Sequence, residues 1–327
     1  MTQPNPSPRG EAPRALAIVG PTAAGKTELS LALARVLPVE IISMDSRQVY
    51  RGMDIGTAKA TLEERAQVPH HGLDRVWPDE PYSAARFARE ARGWLADIEG
   101  RGALPLLVGG TGFFLRALAE PIFREPPVDP ARRDRLRRWL EERPWEELLR
   151  GLSLLDPDRF DVARAGGPQR VIRTLEVALL TGRPLSEWHR VGEPEADPVP
   201  IAVVVLDPSP EELRRRIDER TEAMFQGGLL EEVAGLLQQG VLPGHPGMTG
   251  VGYREAVSVL QGECTVEEAI LAVKGGTWAL ARRQRTWFRT QLKGTILRLP
   301  ESEGLDAQVA AVLRSCSSSW TGGGESG

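Results

Sequence analysis

Cysteine is scarce in this 327-residue chain, with Cys264 and Cys316 the only two. Two cysteines can build neither a disulfide framework nor a zinc site, and the scarcity predicts a reducing, cytoplasmic setting. No apolar run approaches the roughly 18–20 residues that span a bilayer, so no membrane passage is expected. Met1–Arg14 is polar and proline-rich, without the hydrophobic centre of a secretory signal or an anchor. A positive excess is missing too: 41 basic against 45 acidic residues leave a formal charge of −4. The total therefore advertises no nucleic-acid partner. Lysine stands only at positions 26, 59, 274 and 293. Every other basic residue is arginine, the better bidentate ligand of phosphate.

What is present reads as a globular chain, with 41% apolar and 26% charged residues and a length suited to two domains. Short continuous apolar runs at Ala15–Gly20, Val39–Met44, Leu104–Gly109, Ile201–Asp207 and Thr295–Leu299 predict buried strands. Continuous runs, rather than alternation, predict a parallel sheet with helices on both faces. Between the third and fourth runs lies an arginine-dense stretch that is helical in pattern. The expected organisation is an α/β core over 15–120 and 200–300 and a helical insertion over 121–199. Residues 1–14 and 315–327 are expected as flexible tails. No fixed-period repeat is visible.

Gly20-Pro21-Thr22-Ala23-Ala24-Gly25-Lys26-Thr27 follows the first strand and precedes a helical pattern from Glu28. It fits G-x-x-x-x-G-K-[ST] in the strand–loop–helix context that the motif requires, predicting a P-loop NTPase-like fold. Backbone amides would converge on phosphate oxygens, Lys26 would reach the outer phosphates, and Thr27 would hold Mg²⁺. The loop announces a phosphate chain without saying which one.

Asp45 lies just past the second strand, at the sheet edge where α/β proteins bind ligands. Residue chemistry leaves three roles open there: a metal ligand, a base, or the cap of the next helix. Gln48 reads either as a base-edge ligand or as a surface amide. On the helix beginning near Pro210, Arg220 falls within the apolar stripe of Leu213, Ile217 and Met224. A guanidinium there requires an anion, either a structural carboxylate or a ligand. Gly109-Gly-Thr-Gly112 closes the third strand. In Gln169–Leu180 an apolar side opposes Gln169, Arg170 and Arg173. In Gly276–Leu292, Arg282, Arg285 and Arg289 line up with Trp278, as tracking and stacking on RNA require. His70 and His71 have no acidic or cysteine partner at ligand spacing and read as structural.

The ordered set GPTAAGKT, DSRQVYRGMDIGTAK, VPHHGLD, LLVGGTG, QRVIRTLEVALLTGRP, RTEAMFQGGLLEEV, GVGYREA and RRQRTWFR closely resembles the motifs of the tRNA dimethylallyltransferases. The likeness covers roughly Leu16–Arg289. It implies transfer of a dimethylallyl group from dimethylallyl diphosphate to N6 of the adenosine 3′ of the anticodon (position 37), in tRNAs reading codons that begin with U. The phosphate loop would then hold the donor's diphosphate. The resemblance makes Asp45 the general base and N6 anchor, and assigns Arg220 to the diphosphate. It places Thr111 at the reacting region and the RNA, and puts Thr27 with these as catalytic and metal-binding. For tRNA it implies Asp45, Ser46, Arg47, Gln48, Thr111, Arg133, Gln169, Arg170, Val171, Ile172, Arg173, Arg282, Arg285 and Arg289, with a further contact at Tyr253 or Arg254. Two departures stand out. The usual Leu-Tyr after GGTG is Phe113-Phe114 here, and the Gln often found after Arg254 is Glu255.

The expected partners are a tRNA anticodon stem-loop and dimethylallyl diphosphate, with Mg²⁺ as cofactor and a monomer as the working form. Rival readings are a P-loop small-molecule kinase, an adenylate isopentenyltransferase and a non-catalytic, nucleotide-switched RNA binder. The insertion and the arginine stripe argue against the second. Asp45 beside an intact phosphate loop argues against the third.

Overall fold

The computed structural model describes residues 12–121, 128–191, 195–294, 296–299 and 304–320. Six strands form one parallel sheet: β1 (Ala15–Val19), β2 (Val39–Ser43), β3 (His70–His71), β4 (Leu104–Gly109), β5 (Ile201–Leu206) and β6 (Ile296–Leu299). Their order is β3-β2-β4-β1-β5-β6. The helices are α1 (Lys26–Ala34), α2 (Leu62–Gln67), α3 (Ala84–Gly100), α4 (Gly112–Ala119), α5 (Pro130–Glu141), α6 (Trp145–Leu155), α7 (Phe160–Ala165), α8 (Pro168–Thr181), α9 (Leu185–Val191), α10 (Pro210–Gln226), α11 (Leu229–Gln238), α12 (Tyr253–Leu260), α13 (Val266–Thr290) and α14 (Leu305–Trp320). Among the described residues no helix is long and apolar enough to cross a membrane.

The described residues fall into two compact units, one within Met1–Glu120 and Val199–Gly327, the other within Pro121–Pro198. In the first, β1, β4 and β5 present fully buried aliphatic side chains, as strands covered on both faces must. Leu16, Ile18, Leu106 and Val204 pack with Leu29 and Leu33 of α1 and Val312 of α14. Around α3 and α4, Phe87 stacks on Phe114 with ring centroids 4.2 Å apart. The second unit is a helical cluster around Leu140, Leu148, Leu152, Ala163, Val171, Ile172 and Leu175.

Two expectations change. An edge strand at His70–His71 joins the five anticipated ones, where His71 Nε2 lies 2.7 Å from the buried Glu40 carboxylate. Arg101 engages the same carboxylate through two bonds of 2.8 Å, and these bonds, helped by His71, draw it down to about 2. The tail expected from residue 315 instead continues α14 to Trp320, because Val309, Val312 and Leu313 seat that helix on the core. Residues 1–11 and 321–327 of the expected tails, and Thr295 of the expected last strand, lie outside the described residues.

Candidate functional site

The loops that follow β1, β2 and β4 carry the phosphate loop, Asp45 and Thr111, and helices α10 and α13 reach in toward them. After β1 the loop turns through Ala23 at φ 64°, left-handed backbone that alanine adopts at a cost of about 1 kcal/mol, and through Gly25 at φ 87°. No side chain caps α1, so its first amides are left to an anion. Lys26 folds back over the loop, donating to the carbonyls of Gly20 at 3.2 Å and Pro21 at 2.6 Å. Burial pushes its ammonium down to about 8; Asp45 opposes that shift and Arg220 adds to it. The exposed Thr27 makes no side-chain hydrogen bond among the described residues.

Arg220 reaches this loop from α10 and donates to Thr22 Oγ1 at 2.6 Å. Among the described residues it forms no ion pair. Burial holds its guanidinium below the ordinary range, and the Asp45 charge works the other way. Thus Lys26, Arg220 and Asp45 share one electrostatic neighbourhood, with two cations against one anion. Such a site is short of negative charge, as a site for an anionic ligand is.

Past β2, Asp45 Oδ1 accepts from the Arg47 amide at 2.8 Å. Its other oxygen makes no hydrogen bond among the described residues. The residues that follow are fastenings: Arg47 donates to the Pro246 carbonyl at 2.7 Å, and Gln48 bonds Ser43 Oγ and the Thr57 and Ala58 carbonyls. Behind them Glu232 of α11 accepts from the amides of Asp54, Ile55 and Gly56, and from Tyr253. Tyr253 is fully buried, so it offers no RNA contact, and Glu255 accepts from Gly252 at the start of its own helix.

The turn after β4 joins these two loops. Thr111 donates its amide to the Met44 carbonyl, and its hydroxyl accepts from Ser46. Its glycines answer close neighbours. A Cβ on Gly109 would lie 2.2 Å from the Met44 carbonyl oxygen, and one on Gly112 would lie 2.3 Å from the Trp287 ring. Gln284 of α13, which helical spacing alone does not mark, accepts through Oε1 from the Thr22 amide at 2.8 Å and donates through Nε2 to the Gly110 carbonyl at 3.0 Å. Its position inside RRQRTWFR was the available signal; its reach was not.

Several anticipated RNA contacts are placed elsewhere. Val171 and Ile172 are buried in the helical core, so their side chains cannot meet RNA. In that unit Arg133 and Arg173 both point at Glu176, at 3.5 and 3.4 Å, while Gln169 is exposed and Arg170 partly so. On α13 the expected stripe divides. Arg285 and Arg289 pair with Asp207 at 2.6 and 2.9 Å, whereas Arg282 is exposed and unpaired among the described residues. Trp278 is no free stacking ring either: it packs on Leu213 and Ile217, with Arg214 over its face at 5.1 Å. Among the described residues no cluster of His, Cys, Asp or Glu could hold a metal ion.

A profile of the IPP transferase family matches residues 48–291, and one described as isopentenyl transferase matches 13–80. The chain is 46% identical over 301 residues to the tRNA dimethylallyltransferase of Roseiflexus castenholzii, covering 91% of this chain and 94% of that one. To tRNA dimethylallyltransferase 2 of Geotalea uraniireducens it is 43% identical over 288 residues, covering 87% and 92%. Among solved structures, the tRNA isopentenylpyrophosphate transferase of Bacillus halodurans superposes with TM-score 0.67 at 34% identity, over 93% of this chain and 96% of that one. A eukaryotic dimethylallyltransferase acting on tRNA gives TM-score 0.78 at 28% identity, over 92% and 78%.

Proposed function

Since the chain belongs to the IPP transferase family, we propose that it moves a dimethylallyl group from dimethylallyl diphosphate to N6 of adenosine 37 in tRNAs reading codons that begin with U. The enzyme is a prenyltransferase, like the tRNA-modifying relatives it matches. One observation carries the site assignment: Lys26 after β1 and Arg220 of α10 both feel the charge of Asp45, the half-engaged carboxylate past β2.

In this reading the allylic carbon–oxygen bond breaks as the bond to N6 forms, and the electron pair leaves with diphosphate. The N6 amine is a weak nucleophile, since its lone pair is delocalised into the ring. The free oxygen of Asp45 accepts its proton as nitrogen becomes positive. Lys26, Arg220 and the α1 amides stabilise the leaving oxygens, in a position fixed before reaction. Thr22, gripped by Arg220 and Gln284, keeps the loop in that position. The donors present fit Mg²⁺, which is commonly held by few protein groups and by phosphate oxygens rather than by a protein cage. Thr27 would hold it, and it would neutralise charge on the departing diphosphate. For tRNA, Ser46, Thr111 and Arg282 flank the reacting position or face solvent; in the helical unit Gln169, which accepts from Arg137, and Arg170, which donates to the Val162 carbonyl, keep exposed or half-buried side chains. All the reacting groups lie on one chain, so a monomer suffices.

The test incubates the full chain with Mg²⁺, labelled dimethylallyl diphosphate and unmodified tRNA with an adenosine-rich anticodon loop. Label in the tRNA is expected. Label on AMP alone overturns the tRNA reading in favour of a nucleotide acceptor, and ATP-dependent phosphoryl transfer overturns prenyl transfer.

A further inference from the structure

Among the described residues three large aromatic side chains stand half exposed: Trp77, Trp139 and Phe113. Trp77 carries Arg51 over its ring at 5.6 Å, and Trp139 carries Arg143 at 4.7 Å. Phe113, 52% exposed, carries no cation among the described residues; its neighbour is Trp287, at a centroid distance of 6.2 Å and an interplanar angle of 59°. It sits two residues past Thr111, hence within about 7 Å of it along the chain.

A surface groove runs from Trp287 along one face of α13, lined by Ala279, Arg282, Arg283 and Thr286. The spacing i, i+3, i+4, i+7 keeps those four on one side of the helix. Arg282 and Arg283 are exposed, and neither guanidinium has a carboxylate or hydrogen-bond partner among the described residues. Their neighbours on the same helix, Arg285 and Arg289, are both tied to Asp207, so these two guanidiniums are the ones that α13 leaves to solvent. A half-exposed ring next to Trp287, which itself borders a groove with two unpaired cations, suits a partner with both flat apolar rings and regular negative charge. An unpaired stretch of nucleic acid is such a partner.

We propose that Phe113 and the Ala279–Thr286 face of α13 form a stacking and phosphate-holding surface for the unpaired nucleotides flanking the target adenosine. The inference rests on the tRNA reading and adds to it: Thr111 stands at the reacting base, and Phe113 receives its neighbour. Phe114, buried against Phe87, takes no part.

The experiment uses the full chain and an anticodon stem-loop with 2-aminopurine at one flanking position at a time. For the wild type, binding is expected to quench the fluorescence of one of them by stacking. Phe113→Ala is expected to restore that emission and weaken the RNA Kd about 5- to 150-fold, with the donor KM unchanged. Phe113→Trp is expected to keep both. Arg282→Ala with Arg283→Ala is expected to reduce the slope of log Kd against log salt by about 1.4. If Phe113→Ala binds and quenches like the wild type, the proposal is overturned. A raised donor KM with unchanged RNA affinity also overturns it and sets the ring against the prenyl chain. A wild-type chain that neither binds nor prenylates RNA removes the tRNA reading itself, and this surface with it.

Discussion

Gln284 accepts from the amide of Thr22 at 2.8 Å, although the two residues stand 262 positions apart in the chain. Because the same side chain donates to the Gly110 carbonyl, one amide group sets the spacing between the phosphate loop and the turn that bears Thr111. Gln284→Ala leaves a donor and an acceptor unsatisfied and lets the two loops drift. We expect a fall in kcat of about 10- to 100-fold, since misplacement of reacting groups by about 1 Å costs on that order. The donor and tRNA KM values should change far less. Gly110→Ala is expected to reproduce the effect, because a Cβ there would lie 2.5 Å from Gln284 Nε2. Steady-state kinetics with both substrates checks this, and unchanged kcat in both variants removes Gln284 from the machinery.

Asp45 and Arg220 divide the chemistry between acceptor and leaving group, so their losses should differ. Asp45→Ala and Asp45→Asn are expected to abolish transfer while calorimetry still records donor binding. Arg220→Ala also releases Thr22, so it should weaken donor binding and slow chemistry together, by about 10²- to 10³-fold in kcat/KM. Lysine at 220 keeps the charge without the planar fork and should recover only part. Loss of donor binding in Asp45→Ala would make that carboxylate a metal or diphosphate ligand.

Lys26 gives activity and stability opposite pH dependences. It is charged at neutral pH and loses its proton through about 8 in the free protein. The donor kcat/KM, which reports the free enzyme, should therefore fall above about pH 8, and Lys26→Arg should lack that limb in whatever activity it retains. For stability the sign reverses. The folded-state value lies below the ordinary 10.5, so between the two the unfolded chain binds more protons and folding gains as pH rises. Kinetics and thermal melts across that window check both. An activity loss that tracks a falling Tm would mean unfolding rather than titration of Lys26.

The strands were legible because a sheet covered on both faces requires continuous apolar runs, which Ala15–Gly20 and Ile201–Asp207 display. His70–His71 carries no such run and is a strand only because β2 offers its edge. The phosphate loop, Asp45 and Arg220 are each announced locally, by a motif, a strand end or a misplaced charge. What stayed hidden depends on a distant partner. Helical spacing aligned Arg282, Arg285 and Arg289, but nothing in it reveals that Asp207 at the end of β5 claims two of them. Apolar periodicity likewise missed that α8 buries Glu176, which draws Arg133 and Arg173 inward.

Lys59 tests whether the rigidity of the segment behind Asp45 is separable from its chemistry. Its side chain is fully buried, yet its ammonium meets Asp54 at 2.6 Å, Asp74 at 2.7 Å and the Tyr50 carbonyl at 2.7 Å. Lys59→Met would fill much of the same space but leave the Tyr50 carbonyl and two carboxylates without their cation. Removing one partner of a buried pair costs about 3–5 kcal/mol, and here less, because Asp54 is 59% exposed and Asp74 keeps Arg65 at 2.9 Å. A loss of about 2–3 kcal/mol is expected in urea unfolding. Activity should survive at a temperature where the variant is folded, because Glu232 still holds the Asp54–Gly56 amides and Gln48 still ties Ser43 to the Thr57 and Ala58 carbonyls. If kcat of the folded variant falls tenfold or more, the segment transmits its geometry to Asp45, and Lys59 joins Lys26 as a residue the reaction needs.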